Sequence, residues 1–148
     1  MIATAPLRIS NLQAPIPEQA MAHRSRLAGF IIDCQTGELD PAAQFWSQAL
    51  GLPISDPDAG DVPGTYQQFG GTPADLHIEV QKVEHPSRVH LDIESDDIDA
   101  EAARLEALGA KKVKFIHRWW VMEAPTGHRF CIVRMRHPER GVKPNEWP

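Results

Sequence analysis

The sequence has 148 residues, of which 42% are hydrophobic, and its formal net charge at pH 7 is -5. A chain of this size and composition predicts one globular domain with a packed core. Its acidic balance and the lack of a clustered basic surface argue against a nucleic-acid partner, and no apolar run is long enough to predict a membrane segment.

The two ends of the chain show no sustained helix or strand period. We expect an N-terminal arm at residues 1–25, a single domain at 26–135 and a C-terminal tail at 136–148. The start of the arm lacks the basic-then-apolar pattern of a signal peptide, so we expect a cytoplasmic protein. Trp147 in the tail is expected to pack against the body of the domain or against a partner subunit.

The first half of the domain, about residues 26–84, begins with an apolar strand near Leu27. Asp40 and Pro41 predict the N-cap and first residue of a helix, and Gly51 predicts its end. Residues 54–64, which are rich in proline, glycine and aspartate, predict a loop that folds over a cleft.

A strand predicted from Leu76 to Val83 ends the first half. His77, Glu79 and Gln81 alternate with apolar residues along it, so they share one face. Cys34 and Cys131 also lie in strand-like segments, which favours reduced thiols over a disulfide.

The second half, about residues 87–135, opens with the clearest strand in the sequence. Its polar residues are Arg88, His90, Asp92 and Glu94, which alternate with Val89, Leu91 and Ile93. If this strand pairs with the preceding one as a hairpin, His90 lies beside Glu79. A histidine oriented by a carboxylate can act as a general base near neutral pH, so His90 and Glu79 are the candidate catalytic residues.

A helix follows the strand, with Asp97 among its capping residues and Gly109 at its end. Three further strands are predicted before residue 135. Each half therefore consists of a strand, a helix and three strands, and the helices end in the similar sequences Ala-Leu-Gly-Leu (49–52) and Ala-Leu-Gly-Ala (107–110). This pattern indicates an internal duplication.

Several segments resemble a known superfamily. The sequence Phe-Trp-Ser-Gln-Ala-Leu-Gly-Leu at residues 45–52 is similar to the first-helix signature of the vicinal oxygen chelate superfamily, which includes glyoxalase I, extradiol dioxygenases and bleomycin-resistance proteins. Residues 88–92, 119–125 and 127–131 resemble its glyoxalase-like branch. The resemblance implies an α+β fold of two tandem βαβββ modules, whose eight-strand mixed sheet curls into an incomplete barrel around one cleft. It also implies a homodimer.

Metal-using members of the superfamily take ligands from the first, fourth, fifth and eighth strands. Carried over by position, these ligands fall on Gly29, Glu79, His90 and Cys131. Gly29 has no side chain and Cys131 stands in place of a glutamate, so the resemblance favours no metal centre. The alternative is a divalent Zn, Ni, Mn or Fe ion held by His90, Glu79, His77 and Cys131.

The leading hypothesis is a protein that binds a small organic molecule between its two modules without the usual metal centre. The side chains expected to contact that molecule are His77, Gln81, Arg88, Trp119, Trp120 and Cys131. Neighbouring residues on a strand face opposite sides, so one of Trp119 and Trp120 is expected to face the core. The alternatives are a metal-dependent lyase, isomerase or dioxygenase that uses His90, Glu79 and a replacement ligand, and a non-catalytic dimerising module.

Overall fold

The computed structural model describes residues 22–148, so the predicted arm up to residue 21 lies outside the described residues. Within 22–148 the chain forms two α-helices and nine strands. The helices are α1 (Leu39–Leu50) and α2 (Ile98–Ala107). The strands are β1 (His23–Gln35), β2 (Ile54–Ala59), β3 (Tyr66–Phe69), β4 (His77–Val83), β5 (Arg88–Ser95), β6 (Lys111–Ile116), β7 (Trp119–Glu123), β8 (Arg129–Arg134) and β9 (Asn145–Trp147). Neither helix of residues 22–148 is long and apolar enough to cross a membrane.

All of these strands belong to one mixed sheet. Its order is β2-β3-β4-β1-β5-β8-β7-β6, and β9 pairs with the start of β1. The order ends at β2 and β6, so the curled sheet does not close into a barrel. The predicted pair of βαβββ modules is confirmed, and β9 adds a ninth strand that the sequence did not predict.

Both helices cover the same face of the sheet. Phe30, Leu91 and Phe130 lie side by side in one row across β1, β5 and β8. Phe30 packs against the buried cluster beneath α1, and Phe130 packs against the cluster beneath α2. Since paired residues of neighbouring strands point to one side, this is the outer face. The opposite, inner face has no helix of residues 22–148 on it and is left for a binding site.

The structure confirms two of the predicted helix ends and corrects a third. Gly51 has a φ of +66° and closes α1, and Asp97 caps α2 by accepting a hydrogen bond from the Ala100 amide at 2.9 Å, both as predicted. The predicted N-cap at Asp40 is wrong, because Glu38 holds that position. Asp40 lies in the first turn, where it accepts a hydrogen bond from the Gln67 side chain.

Three element boundaries also differ from the sequence prediction. β1 begins at His23, inside the predicted arm. Residues 54–59, predicted as the first part of a loop, form β2. Pro57 lies within this strand, which is compatible with pairing because β2 is an edge strand and proline lacks an amide proton. The tail contributes β9, whose residues 145–147 pair with residues 23–25 of β1.

A buried carboxylate connects β1, α2 and β9. The Glu101 side chain is fully buried, lies 2.7 Å from His23 Nε2 and accepts hydrogen bonds from Ser25 at 2.9 Å and from the Arg104 guanidinium at 2.7 and 2.9 Å. Arg104 stacks 3.8 Å above the Trp147 ring, whose Nε1 donates to Ser25 Oγ at 2.8 Å. Trp147 therefore packs against the body of its own chain, the first of the two positions expected for it.

We predict that Glu101→Gln destabilises the protein by about 3–5 kcal/mol at neutral pH, because it removes one partner of a buried charged network. Burial raises the pKa of Glu101, but hydrogen bonds from Arg104, His23 and Ser25 outweigh it and hold the pKa below its ordinary value. A lowered carboxyl pKa stabilises the folded state above the pKa of the unfolded state, and this stabilisation disappears as the pH falls.

Urea unfolding between about pH 6 and pH 3 measures both effects. The wild-type free energy of unfolding should fall with decreasing pH more steeply than that of Glu101→Gln. Glu106→Gln is the matched control, because Glu106 is 41% exposed and its contact with Lys112 at 3.5 Å lies at the surface; its cost should stay below about 1 kcal/mol. Equal pH slopes for wild type and Glu101→Gln would contradict the prediction.

Candidate functional site

Polar side chains of the central strands meet on the inner face. The register of β4, β1, β5 and β8 arranges them in three rows: Gln81, Asp33 and Arg88; Glu79, Ile31 and His90; and His77, Gly29, Asp92 and Cys131. The sequence alone identified several of these residues as site candidates, but it did not identify Asp33 or Asp92 as such.

Asp33 lies at the centre of this group. Its side chain is 2% exposed, and its Oδ2 lies 2.8 Å from His90 Nδ1, 3.6 Å from Arg88 Nε and 3.8 Å from His85 Nε2. A buried carboxylate is costly unless positive or hydrogen-bonding groups surround it. The hydrogen bond to Nδ1 fixes the plane of the His90 ring and therefore the direction of its second nitrogen.

That second nitrogen points toward two more candidate ligands. His90 Nε2 lies 3.5 Å from Asp92 Oδ1. One ligand atom each from His90, Asp92 and Cys131 lie within 4.8 Å of one another, and we call these three residues the His-Asp-Cys cluster. Asp92 is only 8% exposed, and its buried Oδ1 has this contact with His90 but no shorter hydrogen bond within residues 22–148.

The protonation of His90 follows from its neighbours. Burial lowers the pKa of His90, but hydrogen bonds with Asp33, Asp92 and Cys131, together with the Asp33 charge, outweigh burial and raise the pKa to about 11. An imidazole with this pKa carries both of its protons at neutral pH. The general-base role predicted for His90 therefore does not fit this arrangement, because a general base must accept a proton.

The predicted contact between His90 and Glu79 is not formed. β4 and β5 do not pair as a hairpin, because β1 lies between them, so the two residues are two strand spacings apart, about 10 Å. Glu79 Oε2 instead lies 3.1 Å from His77 Nε2. The hydrogen bond to Glu79 raises the pKa of His77 against the opposing effect of burial.

The remaining predicted site residues divide between the two faces. Gln81 Nε2 donates to the Tyr66 hydroxyl at 2.7 Å on the inner face, and burial raises the pKa of Tyr66. Trp120 packs beneath α2 on the outer face and donates to Asp99 at 2.8 Å, so it does not line the inner face. Trp119, its neighbour on β7, points to the inner side.

At Gly29 the neighbouring backbone leaves no space for the side chain that serves as the first-strand ligand of the superfamily. A β-bulge lies between Leu27 and Gly29, and a Cβ added at Gly29 would lie 1.8 Å from the carbonyl oxygen of His77. No side chain fits at this position. Because Glu79 is also remote from His90, the set of Gly29, Glu79, His90 and Cys131 does not fit a metal ion in this chain.

Sequence reasoning missed two residues of the site, and each had a signal. Asp33 is a lone acid within the otherwise apolar segment Phe-Ile-Ile-Asp-Cys at residues 30–34, where a buried charge requires a partner. Asp92 follows His90 by two residues on the polar face of β5, a spacing that places both side chains on one side of a strand.

Two surface cavities lie away from the inner face. One of about 480 Å³ is bordered by Arg24, Asp96 and Trp147, and one of about 370 Å³ is bordered by Gln35, Lys82 and Glu84. Neither is lined by a residue of the three rows. Both cavities are therefore separate from the candidate site on the inner surface of the sheet.

Comparisons with known proteins agree with this architecture. The glyoxalase-like domain family matches residues 29–133. No curated protein sequence matches the chain significantly.

Several solved structures are similar to the chain. A hypothetical protein from Bacillus halodurans C-125 aligns with a TM-score of 0.55 and 12% identity, covering 76% of this chain and 95% of that one. Methylmalonyl-CoA epimerase from Mycobacterium tuberculosis aligns with 0.53 and 16%, covering 74% and 89%. Homoprotocatechuate 2,3-dioxygenase from Brevibacterium fuscum, in complex with 3,4-dihydroxyphenylacetate, aligns with 0.50 and 13%, covering 82% and 38%. Likeness at these identities establishes the fold.

We predict that Gly29→Ala destabilises the protein by about 3 kcal/mol, the upper end of the usual cost of overpacking, because the new methyl group collides with backbone atoms. Gly37→Ala is the control, since an added Cβ there has no neighbour within 4 Å, and its effect should stay below about 1 kcal/mol. Chemical denaturation of the two variants measures the difference. Equal stabilities would show that β1 and β4 approach less closely than described.

Proposed function

The chain belongs to the glyoxalase-like domain family, and on this basis we propose that it binds a small organic anion on the inner face of its sheet. The sequence resemblance to the vicinal oxygen chelate superfamily is confirmed by this match and by the epimerase and dioxygenase structures. The site belongs to the chain as a whole, because both modules contribute residues to it: Asp33 and His77 come from the first, and Arg88 and His90 from the second.

The layering of charge on the inner face supports an anionic ligand. Among the three rows and the adjacent His85, the exposed ionisable side chains are basic: Arg88 is 47% exposed, His77 41% and His85 39%. The acids lie beneath them, with exposures of 2% for Asp33, 11% for Asp92 and 13% for Glu79. A ligand that approaches from solvent therefore meets basic hydrogen-bond donors first.

Arg88 carries the proposal. Its Nε lies 3.6 Å from Asp33 Oδ2, which holds the base of the guanidinium without using its terminal nitrogens. Those nitrogens have no hydrogen-bond partner among residues 22–148. A guanidinium with two free parallel donors is suited to bidentate recognition of a carboxylate.

Similar structures provide precedents for such a ligand in this fold. Methylmalonyl-CoA epimerase was solved in complex with methylmalonyl-CoA, and homoprotocatechuate 2,3-dioxygenase in complex with 3,4-dihydroxyphenylacetate. Both molecules are organic anions. This precedent supports the ligand class and leaves the identity of the ligand to experiment.

Self-association and a cytoplasmic location stay predictions. Leu27, Val89 and Leu91 lie on the outer face and are 50%, 57% and 51% exposed. Size-exclusion chromatography with light scattering measures the oligomeric state of the full chain directly.

We predict that carboxylates stabilise the protein against thermal unfolding more than the matching amides do. Benzoate with benzamide and phenylacetate with phenylacetamide are suitable pairs, because each pair differs mainly in charge. Isothermal titration of the best carboxylate should show that Arg88→Gln weakens binding roughly tenfold or more, the expected loss of a charge-assisted hydrogen bond.

Arg134→Gln is the matched control for this experiment. Arg134 is an exposed arginine at the end of β8, and its strand position points it to the outer face. Its substitution should leave binding unchanged. Equal binding of carboxylates and amides, or equal losses in the two arginine variants, would contradict anion recognition by the inner face.

A further inference from the structure

We propose that Asp61 and Arg118 form a latch that controls access to the inner face of the sheet. Asp61 lies in the connection between β2 and β3, and Arg118 lies in the turn between β6 and β7. Arg118 Nη2 lies 3.5 Å from Asp61 Oδ2. The proposal concerns the entrance to the candidate site, so it goes beyond the proposed ligand class and does not depend on it.

The contact joins the two edges of the sheet. β2 and β6 are the first and last strands of the order β2-β3-β4-β1-β5-β8-β7-β6. At the usual strand spacing, a flat sheet would hold these two strands about 34 Å apart. The two side chains nevertheless meet, and each lies two residues beyond the end of its edge strand. The curl of the sheet therefore brings its edges together here, where side chains and not strand pairing close the gap.

The surroundings of Tyr66 also reflect this curl. Burial raises the pKa of Tyr66 most, and the charges of Glu79 and Cys131 raise it further. Tyr66 is on β3 and Cys131 is on β8, four strand positions apart in the sheet order. Because charges in salt solution act over a short range, these residues must face each other across a concave inner surface. The latch therefore lies at the rim of that surface.

The two sides of the latch differ in stiffness. Arg118 belongs to a two-residue turn whose flanking residues pair directly with each other. Asp61 lies between Gly60 and Gly64, which have φ values of +84° and +76°. A Cβ added at Gly64 would meet no atom within 4 Å, so there is open space beside it. Since glycine permits backbone rotations that other residues resist, the segment that carries Asp61 is the part that moves.

The ion pair is weak enough to open at equilibrium. Asp61 is 84% exposed and Arg118 is 62% exposed. Water and salt screen such a pair, so its contribution is small. This weakness suits a latch, because both the closed and the open states stay populated. Loss of the pair should therefore raise the open population by about fivefold at most.

Alkylation of Cys131 measures access to the inner face without any ligand. Cys131 is a half-buried thiol on that face, whereas Cys34 is buried in the cluster beneath α1 and serves as the internal control. The full chain is treated with iodoacetamide, a neutral reagent, and mass spectrometry follows the modification of each cysteine with time. We expect Asp61→Asn to speed alkylation of Cys131 by about two- to fivefold and to leave Cys34 unchanged.

Matched variants assign the effect to the ion pair. Asp58→Asn is the control, because Asp58 is an exposed acid of β2 in the same hairpin; it removes the same charge and should leave the rate unchanged. Arg118→Gln should act as strongly as Asp61→Asn, and combining the two should add nothing further. The charge exchange of Asp61→Arg with Arg118→Asp should restore the slow rate. High salt should speed the wild-type reaction but not that of Asp61→Asn, because salt screens an exposed pair.

Several results would overturn the proposal. These are equal Cys131 rates in the wild type and Asp61→Asn, an equal increase in Asp58→Asn, and additive effects of Asp61→Asn and Arg118→Gln. A parallel increase at Cys34 would also overturn it, because general loosening of the fold would then explain the result. The experiment contains no ligand and leaves the Arg88-dependent carboxylate titration unaffected, so the two proposals fail separately.

Discussion

The inner face depends on the burial of a single negative charge at the middle of the sheet. Asp33 is on β1, which lies between β4 and β5, and its carboxylate is 2% exposed. Its Oδ2 faces His90, Arg88 and His85, whereas its Oδ1 is buried without a hydrogen bond from residues 22–148. Removing a carboxylate from water costs several kcal/mol unless nearby cations compensate. The attraction between Asp33 and these basic groups compensates the cost of burying the charge, and it holds the groups in place. It therefore fixes both the His90 ring and the Arg88 guanidinium that we propose as the anion receptor.

The parts of the site that the sequence predicted are those set by local periodicity. Alternation along β4 and β5 placed His77, Glu79 and His90 on the face away from the helices, because a strand has a period of two residues whatever its partners are. The choice of partners is not local. A hairpin of β4 and β5 would have joined His90 to Glu79, but the insertion of β1 between them gave His90 a different carboxylate, Asp33. Trp119 and Trp120 show the same limit: alternation predicted that they face opposite sides, and the packing of α2 decided which one became part of the core.

The tail illustrates how long-range contacts complete the inner face. Arg26 pairs with Glu94 on β5 and donates to the carbonyl oxygens of His137, Arg140 and Val142. Gly141 then passes so close to the turn before β4 that an added Cβ would lie 2.7 Å from Ala74 O. The tail segment has little intrinsic preference for helix or strand. The Arg26 guanidinium and the close approach of Gly141 to Ala74 nevertheless hold it against both modules. Composition correctly indicated irregular structure there, but it contained no signal for where the segment would lie.

The bulge in β1 decides which strands contribute side chains at the level of Gly29 on the inner face. The extra residue between Leu27 and Gly29 brings the backbone at Gly29 against the His77 carbonyl, so β1 cannot supply a ligand at that point. In the row that contains Gly29, side chains resume at Asp92 and Cys131 on one side and at His77 on the other. His77 is paired with Glu79 at 3.1 Å, whereas Asp92 faces His90 at 3.5 Å and lies close to the Cys131 thiol. At this level of the inner face the side chains therefore come from β4, β5 and β8, and β1 contributes backbone alone.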